Sequence, residues 1–419
     1  MVNTASRLAA WAAGIAATAS DREMADRALI DTVAVAIAGL AEPVTALLDD
    51  APEAQRWATI AHVLDYDDLH IPSTSHISVV CVPATLAAGG SARAYLAGAG
   101  VMARAGRILG WPHYRAGWHA TCTAGALGAA VCAGVAYGLD EAGLSRAIAL
   151  ALPGAGGVQR AFGTMGKSLQ VGFATAAGIR AAQLARAGAT ADPSAIDQWL
   201  TLLRGMPVDP ATVDVELSEA AAIPGGLAIK IFPCCYALQR PICAMAELAP
   251  IDAATVRRFE VRTPAAAVQP LIHHRPDSGL QGKFSLEYGI AAALLDRRTG
   301  FASFTDAAVQ RPGAQQLLRR VSVEHADAPG GESDLLAGEF EATVHLLDGS
   351  RHQVSLAAPL GSPARPLTAQ DLRDKVVDCC GDLASDVMRL DWDTALPLPR
   401  DACTLRPRAT STQSICDVI

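Results

Sequence analysis

The sequence predicts a mainly α-helical protein: a large all-helical domain carrying an inserted, smaller α+β domain. Three observations predict it. First, 51% of the 419 residues are apolar but only 5% are aromatic, so alanine, leucine, valine and glycine must fill the core. Small side chains of that kind suit helices packed at close range. Second, helix-like segments follow one another as far as about residue 250, with glycine and proline between them. Third, the pattern changes after about Ile251 to short alternating runs, and helix returns at Leu367. The length itself suggests two domains. The expected division is residues 1–250 for the first part of the helical domain, 251–360 for the α+β domain, and 361–419 for C-terminal helices returning to the first part.

The elements follow in order. Asp21 is placed to cap a helix through MADRALIDTVAVAIAGL, which ends at Gly39 with Pro43 soon after. Further helices are expected over 51–64, 91–109, 119–138, 141–152 and 167–187, with breaks at Gly110-Trp111-Pro112, Pro153-Gly154 and Pro193. Beyond Ile251, ATVRRFEVRTP and RRVSVEHAD alternate like strands, and FEATVHLLDGSRHQVSLA reads as a hairpin turning at Asp348-Gly349. FSLEYGIAAALLDRR between them reads as a helix. At the end, Thr368 with Asp371 three residues later marks the start of another. Clefts between two domains of this kind commonly hold small ligands.

Net charge is −8 and the basic residues are dispersed, which argues against nucleic acid as a partner. The absence of a polybasic amphipathic segment argues likewise against an anionic membrane surface. The stretch from Ala120 to Leu139 is long and apolar, but its alanine and glycine content suits a buried helix better than a membrane span. MVNTASRLAAWAAG lacks a basic start followed by a long apolar run, so no signal peptide is expected. The ten cysteines form no regular framework and no CxxC. They are expected to be reduced thiols in a cytoplasmic protein rather than disulfides, structural zinc ligands or cluster ligands.

Candidate chemistry lies in four segments. In HVLDYDDLHIPSTSH, the residues His62, Asp65, Asp67, Asp68, His70 and His76 crowd at a helix end and the loop after it. Such a set supplies a base and its orienting partner, holds a metal, or is simply a solvated helix end. In AGWHATCTAG, His119 stands at the first turn of a helix. The positive dipole end there disfavours a cationic imidazole and favours a neutral donor or base, and a packed structural imidazole is the other reading. In GGVQRAFGTMGKSLQVG, a phosphate-binding GxxxxGK[ST] loop would need glycine at position 161, where Ala161 stands. Lys167 there starts a helix instead. In AIKIFPCCYALQRP, Pro233 bends the chain and Lys230 precedes the next helix. Of 34 basic residues only Lys167, Lys230, Lys283 and Lys375 are lysine. A chain that uses arginine almost everywhere keeps a compact, proton-passing ammonium where a rigid fork does not serve. Lys375, on the C-terminal helix, reads as an ordinary helix residue.

Taken in order, DYDDLH…SH, GWHATCTAGALGAA, FGTMGKSLQVG, K-I-F-P-C-C and KFSLEY resemble the motifs of the MmgE/PrpD family. The resemblance runs from LIDTVAVAIAG near the N-terminus to LRDKVVDCC near the end. That family includes 2-methylcitrate dehydratase, cis-aconitate decarboxylase and iminodisuccinate epimerase. The resemblance implies a helical domain with a smaller α+β lid, a homodimer, a site between the domains and no organic cofactor; no metal is expected either. By resemblance Asp65 and His76 match the first motif, His119 the GFHPT-type motif, and Lys167 and Lys230 the GTMTK and K-x-Y/F-P-C motifs. Tyr288 matches an aromatic lid position. These six are the candidate catalytic residues, with Asp68, His70, Thr121 and Lys283 as substrate-binding candidates. The expected function is a dehydratase-type lyase acting on a small di- or tricarboxylate. Epimerisation, decarboxylation, a metal-dependent hydrolase and a non-catalytic metabolite-binding homologue are the alternatives. Proton transfer falls to His119 or His76, and carboxylate binding to the lysines. Four positions depart from the pattern: Leu69 replaces a threonine, Ile77 and Ala120 replace prolines, and Gln170 replaces a histidine.

Overall fold

A computed structural model describes residues 3–393 except 249, 297, 328–334 and 337. The chain is mainly α-helical with a smaller α+β region built on a four-stranded sheet. It divides into two compact units. One comprises the described residues of Met1–Val158, Ser168–Leu227 and Thr368–Ile419, and the other Gln159–Lys167 and Ala228–Leu367.

The first unit contains helices α1 (Thr4–Ala13), α2 (Ala19–Gly39), α3 (Glu53–Val63), α4 (Ser78–Ala87), α5 (Ala92–Arg115), α6 (Ala120–Ala136) and α7 (Glu141–Ala151). It also holds nearly all of α8 (Gly166–Arg186), then α9 (Ala195–Arg204), α10 (Pro210–Ser218) and the helix Ala369–Cys380. Helix α6 is the hub. Every residue from Ala120 to Gly134 is buried, and α4, α5 and α7 pack on it. Its alanine and glycine content lets neighbouring backbones come close: a Cβ added at Gly98 on α5 would stand 2.2 Å from Cys132 Sγ and 2.6 Å from the Gly128 carbonyl oxygen. No helix among the described residues is long and apolar enough to cross a membrane.

Three local expectations need correction. Thr18, not Asp21, caps α2; Asp21 is the third helical residue of a capping box, and its carboxylate accepts the Thr18 N–H at 2.9 Å. The other Asp21 oxygen accepts the Ala222 N–H, so a distant loop selects this arrangement. Helix α4 was not expected, because Pro83 lies inside it; nine of its ten residues are buried, and that packing outweighs the local penalty. Helix α5 runs past the expected stop to Arg115, but Gly110 (φ 66, ψ −171) breaks it where the glycine–proline signal fell.

The second unit holds α11 (Tyr236–Glu247), the helix Leu286–Leu295, and strands β1 (Val256–Pro264), β2 (Val321–Ala326), β3 (Phe340–Leu346) and β4 (Arg351–Leu356). The sheet order is β2-β1-β3-β4. Strand β1 runs parallel to β2 and antiparallel to β3, with Phe259 opposite both Val321 and Val344. Strands β3 and β4 form the expected hairpin. Alternation along β1 sends Phe259 and Val261 inward, and an irregularity between Val256 and Arg258 leaves Val256 buried as well; Leu238, Phe284, Tyr288 and Phe340 complete the core. The eight described cysteines are all free; Cys403 and Cys416 lie outside the described residues.

Candidate active site

Helix α3 ends at Val63 and carries His62 in its last turn. The chain then passes through Asp65, whose backbone is left-handed (φ 52), and turns again at Thr74 (φ 53) before entering α4. These are the two non-glycine residues with positive φ among the described residues. Aspartate tolerates this conformation better than most side chains, whereas a β-branched threonine does so at a cost of about 1–3 kcal/mol. Strain held this close to a cluster of ionisable groups marks a place that the fold shapes deliberately.

The loop is locked from several sides. His70 pairs by backbone with Ser75 (N–H to carbonyl, 2.8 Å). The His70 ring donates from Nε2 to the Pro224 carbonyl at 2.6 Å, and its Nδ1 lies 2.7 Å from the Ser73 hydroxyl. Burial pushes this imidazole down to about 4, so it is neutral at ordinary pH. Asp68 accepts both the backbone N–H and the hydroxyl of Ser78, the first residue of α4. Burial, opposed by the Ser78 bonds and reinforced by nearby Asp31 and Asp67, lifts its carboxyl to about 7.

His62, Asp65, Asp67 and His76 converge inside this frame. Asp67 is fully buried, and one oxygen lies 2.8 Å from His62 Nδ1 and 3.0 Å from His76 Nδ1. Burial alone would raise this carboxyl, but the two imidazoles outweigh it and hold it well below the usual range. His76 Nε2 lies 3.7 Å from Asp65 Oδ1, so the ring has a carboxylate at each nitrogen. The His76 backbone N–H donates to Thr121 Oγ1 at 3.0 Å, tying it to the first turn of α6. His119, the N-cap of α6, stacks on His62 with ring centroids 5.8 Å apart, and the His62 and His76 rings meet edge-on at 4.7 Å. The nearest donor atoms of His62, Asp65, Asp67 and His76 all lie within 4.8 Å of one another, a nitrogen and oxygen set that suits a divalent cation.

Of the sequence candidates, the first unit thus brings together Asp65, His76, His119 and Thr121, with Asp68 and His70 as buried supports of the loop. His62 and Asp67, members of the crowded segment to which the resemblance assigns no role, meet His76 and Asp65 in the same cluster. The available signal was a histidine in the last turn of a helix followed five residues later by a second acid.

Lys167, Lys230, Lys283 and Tyr288 belong to the second unit. Lys167 is buried, with Nζ 5.2 and 5.5 Å from the ring centres of Phe162 and Phe284. Lys283 donates to the Pro233 carbonyl at 2.6 Å, in the bend that follows the fully buried Lys230. Tyr288 is fully buried and donates its hydroxyl to the Ser303 carbonyl; burial, countered by Arg311, lifts its phenol to about 12. Lys375 is no ordinary helix residue. It is buried in the first unit, 2.5 Å from Asp31 Oδ1, and donates to the Tyr66 carbonyl.

The MmgE/PrpD N-terminal domain matches residues 52–200 and the MmgE/PrpD C-terminal domain residues 232–393. Relatives include cis-aconitate decarboxylase of Mus musculus, 28% identical over 62% of this chain and 54% of that protein. The Homo sapiens protein of the same name is 26% identical over 66% of this chain and 58% of its own length. One from Aspergillus terreus (strain NIH 2624 / FGSC A1156) is 24% identical over 58% and 54%. The chain thus spans about half the length of the curated relatives it matches. With both domains matched in order across most of its length, the chain belongs to the MmgE/PrpD family.

Proposed function

We propose that this chain is a lyase of small di- or tricarboxylates that works by proton transfer at a carbon next to a carboxylate, with dehydration as its leading reaction. The observation that carries the reading is the buried His76 imidazole with Asp67 at Nδ1 and Asp65 beside Nε2. With its hydrogen on Nδ1, toward the Asp67 carboxylate 3.0 Å away, the ring keeps Nε2 as the basic nitrogen, and the two carboxylates stabilise the charge it acquires with a proton.

In dehydration the substrate C–H bond breaks and its proton passes to His76. The electron pair is delocalised into the neighbouring carboxylate and then forms the alkene as the C–O bond breaks. The departing hydroxide takes a proton and leaves as water. Lys167 and Lys230 are proposed, from the motifs they occupy, as compact positive partners for substrate carboxylates. The names of the relatives favour a second outcome of the same chemistry. In decarboxylation a C–C bond breaks, CO₂ departs, and the electron pair left on carbon takes a proton from the imidazolium. Epimerisation would return the abstracted proton to the other face. We further propose a cytoplasmic homodimer, which sedimentation of the purified protein and fractionation of the native cell would check.

Proton NMR in D₂O with a panel of di- and tricarboxylic acids separates these outcomes. A new alkene with loss of water is expected; loss of CO₂ would identify a decarboxylase, and deuterium entry without net conversion an epimerase. No exchange and no turnover across the panel would sink the reading. The donor set around Asp67 supports a different one, a metal-dependent hydrolase. Stoichiometric zinc or magnesium by elemental analysis of the purified protein, with activity lost to a chelator, would favour it.

A further inference from the structure

His119 is held by a strap. Its backbone N–H donates to the Gly157 carbonyl at 2.9 Å, and Trp118 pairs with Val158 in a short antiparallel bridge. Gly157 has φ 126, and a Cβ there would stand 2.9 Å from both Cys122 Cβ and Gln170 Oε1, so glycine is required. Gln170, in the second turn of α8, closes the strap from the other side. Its Oε1 accepts the Val158 N–H at 3.0 Å, its Nε2 donates to the Val158 carbonyl at 3.2 Å, and the same Nε2 lies 3.0 Å from His119 Nδ1.

These contacts settle which end of the amide is which. Turning it over would set an NH₂ against the Val158 N–H and an oxygen against the Val158 carbonyl, losing two hydrogen bonds and creating two repulsions. The atom facing His119 is therefore a donor. It has two hydrogens, one for the Val158 carbonyl and one for Nδ1. The Cys122 thiol, 3.2 Å from Nδ1, is compatible as a second donor. An Nδ1 that accepts carries no hydrogen, so in the neutral ring the hydrogen is on Nε2. Protonating Nδ1 would drive N–H against N–H, and the doubly anchored amide does not turn to relieve it.

We propose that Gln170 is a positioning residue that locks His119 in the neutral Nε2–H tautomer, making His119 a fixed hydrogen donor rather than the base. This divides the labour between the two histidines: His76 takes the proton from carbon, and His119 Nε2–H is assigned the role of donor to the oxygen that gains charge or departs. The catalytic half of the inference rests on the lyase reading above, while the tautomer stands on hydrogen bonding alone. It also gives physical meaning to a departure from the family pattern. A glutamine at 170 offers Val158 both an acceptor and a donor and still has a hydrogen for His119, which one imidazole does not provide.

The test is long-range ¹H–¹⁵N correlation spectroscopy of the full chain labelled on histidine nitrogen, with His119 assigned by its absence in His119→Gln. The wild type should show His119 with a bare Nδ1 and a protonated Nε2; a protonated Nδ1 would overturn the proposal. In Gln170→Glu the carboxylate accepts where the amide donated, so a proton should appear at Nδ1, and an unchanged pattern would also overturn it. Should that variant fail to fold by circular dichroism, Gln170→Leu with Cys122→Ala removes both donors and should leave the two tautomers interconverting. Retention of the pure Nε2–H form there would overturn the lock. On whichever acid the enzyme turns over, Gln170→Glu should lower kcat on the order of 10²-fold with KM changed far less. An unchanged kcat would remove the positioning role. Absence of turnover in the wild type would fail the lyase reading while leaving the tautomer result intact.

Discussion

Lys375 donates from its ammonium to the carbonyl of Tyr66 at 2.8 Å, joining residues 309 positions apart in sequence. The same ammonium lies 2.5 Å from Asp31 Oδ1 on α2 and 4.1 Å from the centre of the Tyr66 ring. Tyr66 separates Asp65 from Asp67, so the helix Ala369–Cys380 holds the backbone of the site loop between its first two acids.

Breaking that pair should be costly. Lys375→Met leaves the buried Asp31 carboxylate without its cation, and a loss of about 3–5 kcal/mol in urea unfolding is expected. Lys375→Met combined with Asp31→Leu removes both charges and should recover much of that stability. A double variant as unstable as the sum of the singles would mean that the ion pair is not the source of the effect.

Asp67 should matter as much as the histidines it holds. Asp67→Asn retains one acceptor oxygen but turns an NH₂ toward an imidazole, so His62 and His76 lose their common anchor. A fall in kcat/KM of about 10²–10⁴-fold is expected, similar to His76→Gln, with the circular dichroism spectrum unchanged. Activity within a factor of two of wild type would remove His76 from the proton-transfer role.

Stability should fall as pH rises from acid to neutral because of Asp68. Its carboxyl is raised from an ordinary 3.8 to about 7 in the folded protein, so between those values the folded state binds more protons than the unfolded one. By linkage, unfolding free energy decreases with increasing pH across that window, by up to about 4 kcal/mol from this group. Asp68→Asn still accepts from Ser78 but does not ionise. The difference in stability between wild type and variant should therefore grow in the variant's favour from pH 4 to pH 7. Parallel pH profiles in chemical denaturation would contradict the assignment.

Lys167→Ala is expected to raise KM or lower kcat by orders of magnitude on the acid that is turned over. The cost to stability should stay small beside that loss, about 1–2 kcal/mol for the missing contacts with Phe162 and Phe284. A fully active variant would end its assignment to carboxylate binding.

Much of the fold was legible in the sequence because the signals are local. The Thr368–Asp371 capping box, the alternation along β1 and the Asp348-Gly349 hairpin each act within a few residues, and each element formed where its signal lay. The exceptions are those where distant partners weigh in. Pro83 lies within a helix because its neighbours are buried, and Asp21 serves as the third helical residue while holding the backbone of Ala222. At the site, the motifs supplied the segment containing Asp65 and His76 and the segment starting at His119.

The sequence by itself determined the mainly helical class, the α+β insert, the family, and which short segments carry ionisable groups, since all of these are encoded in local spacing and composition. Only the tertiary structure decided that Asp67 binds two imidazoles, that Lys375 reaches the Tyr66 carbonyl, and that Gln170 presents a donor to His119. Those three facts concern which atoms of separate segments meet at hydrogen-bonding distance. Chain spacing does not specify that; the packing of α2, α3, α6, α8 and the C-terminal helix does.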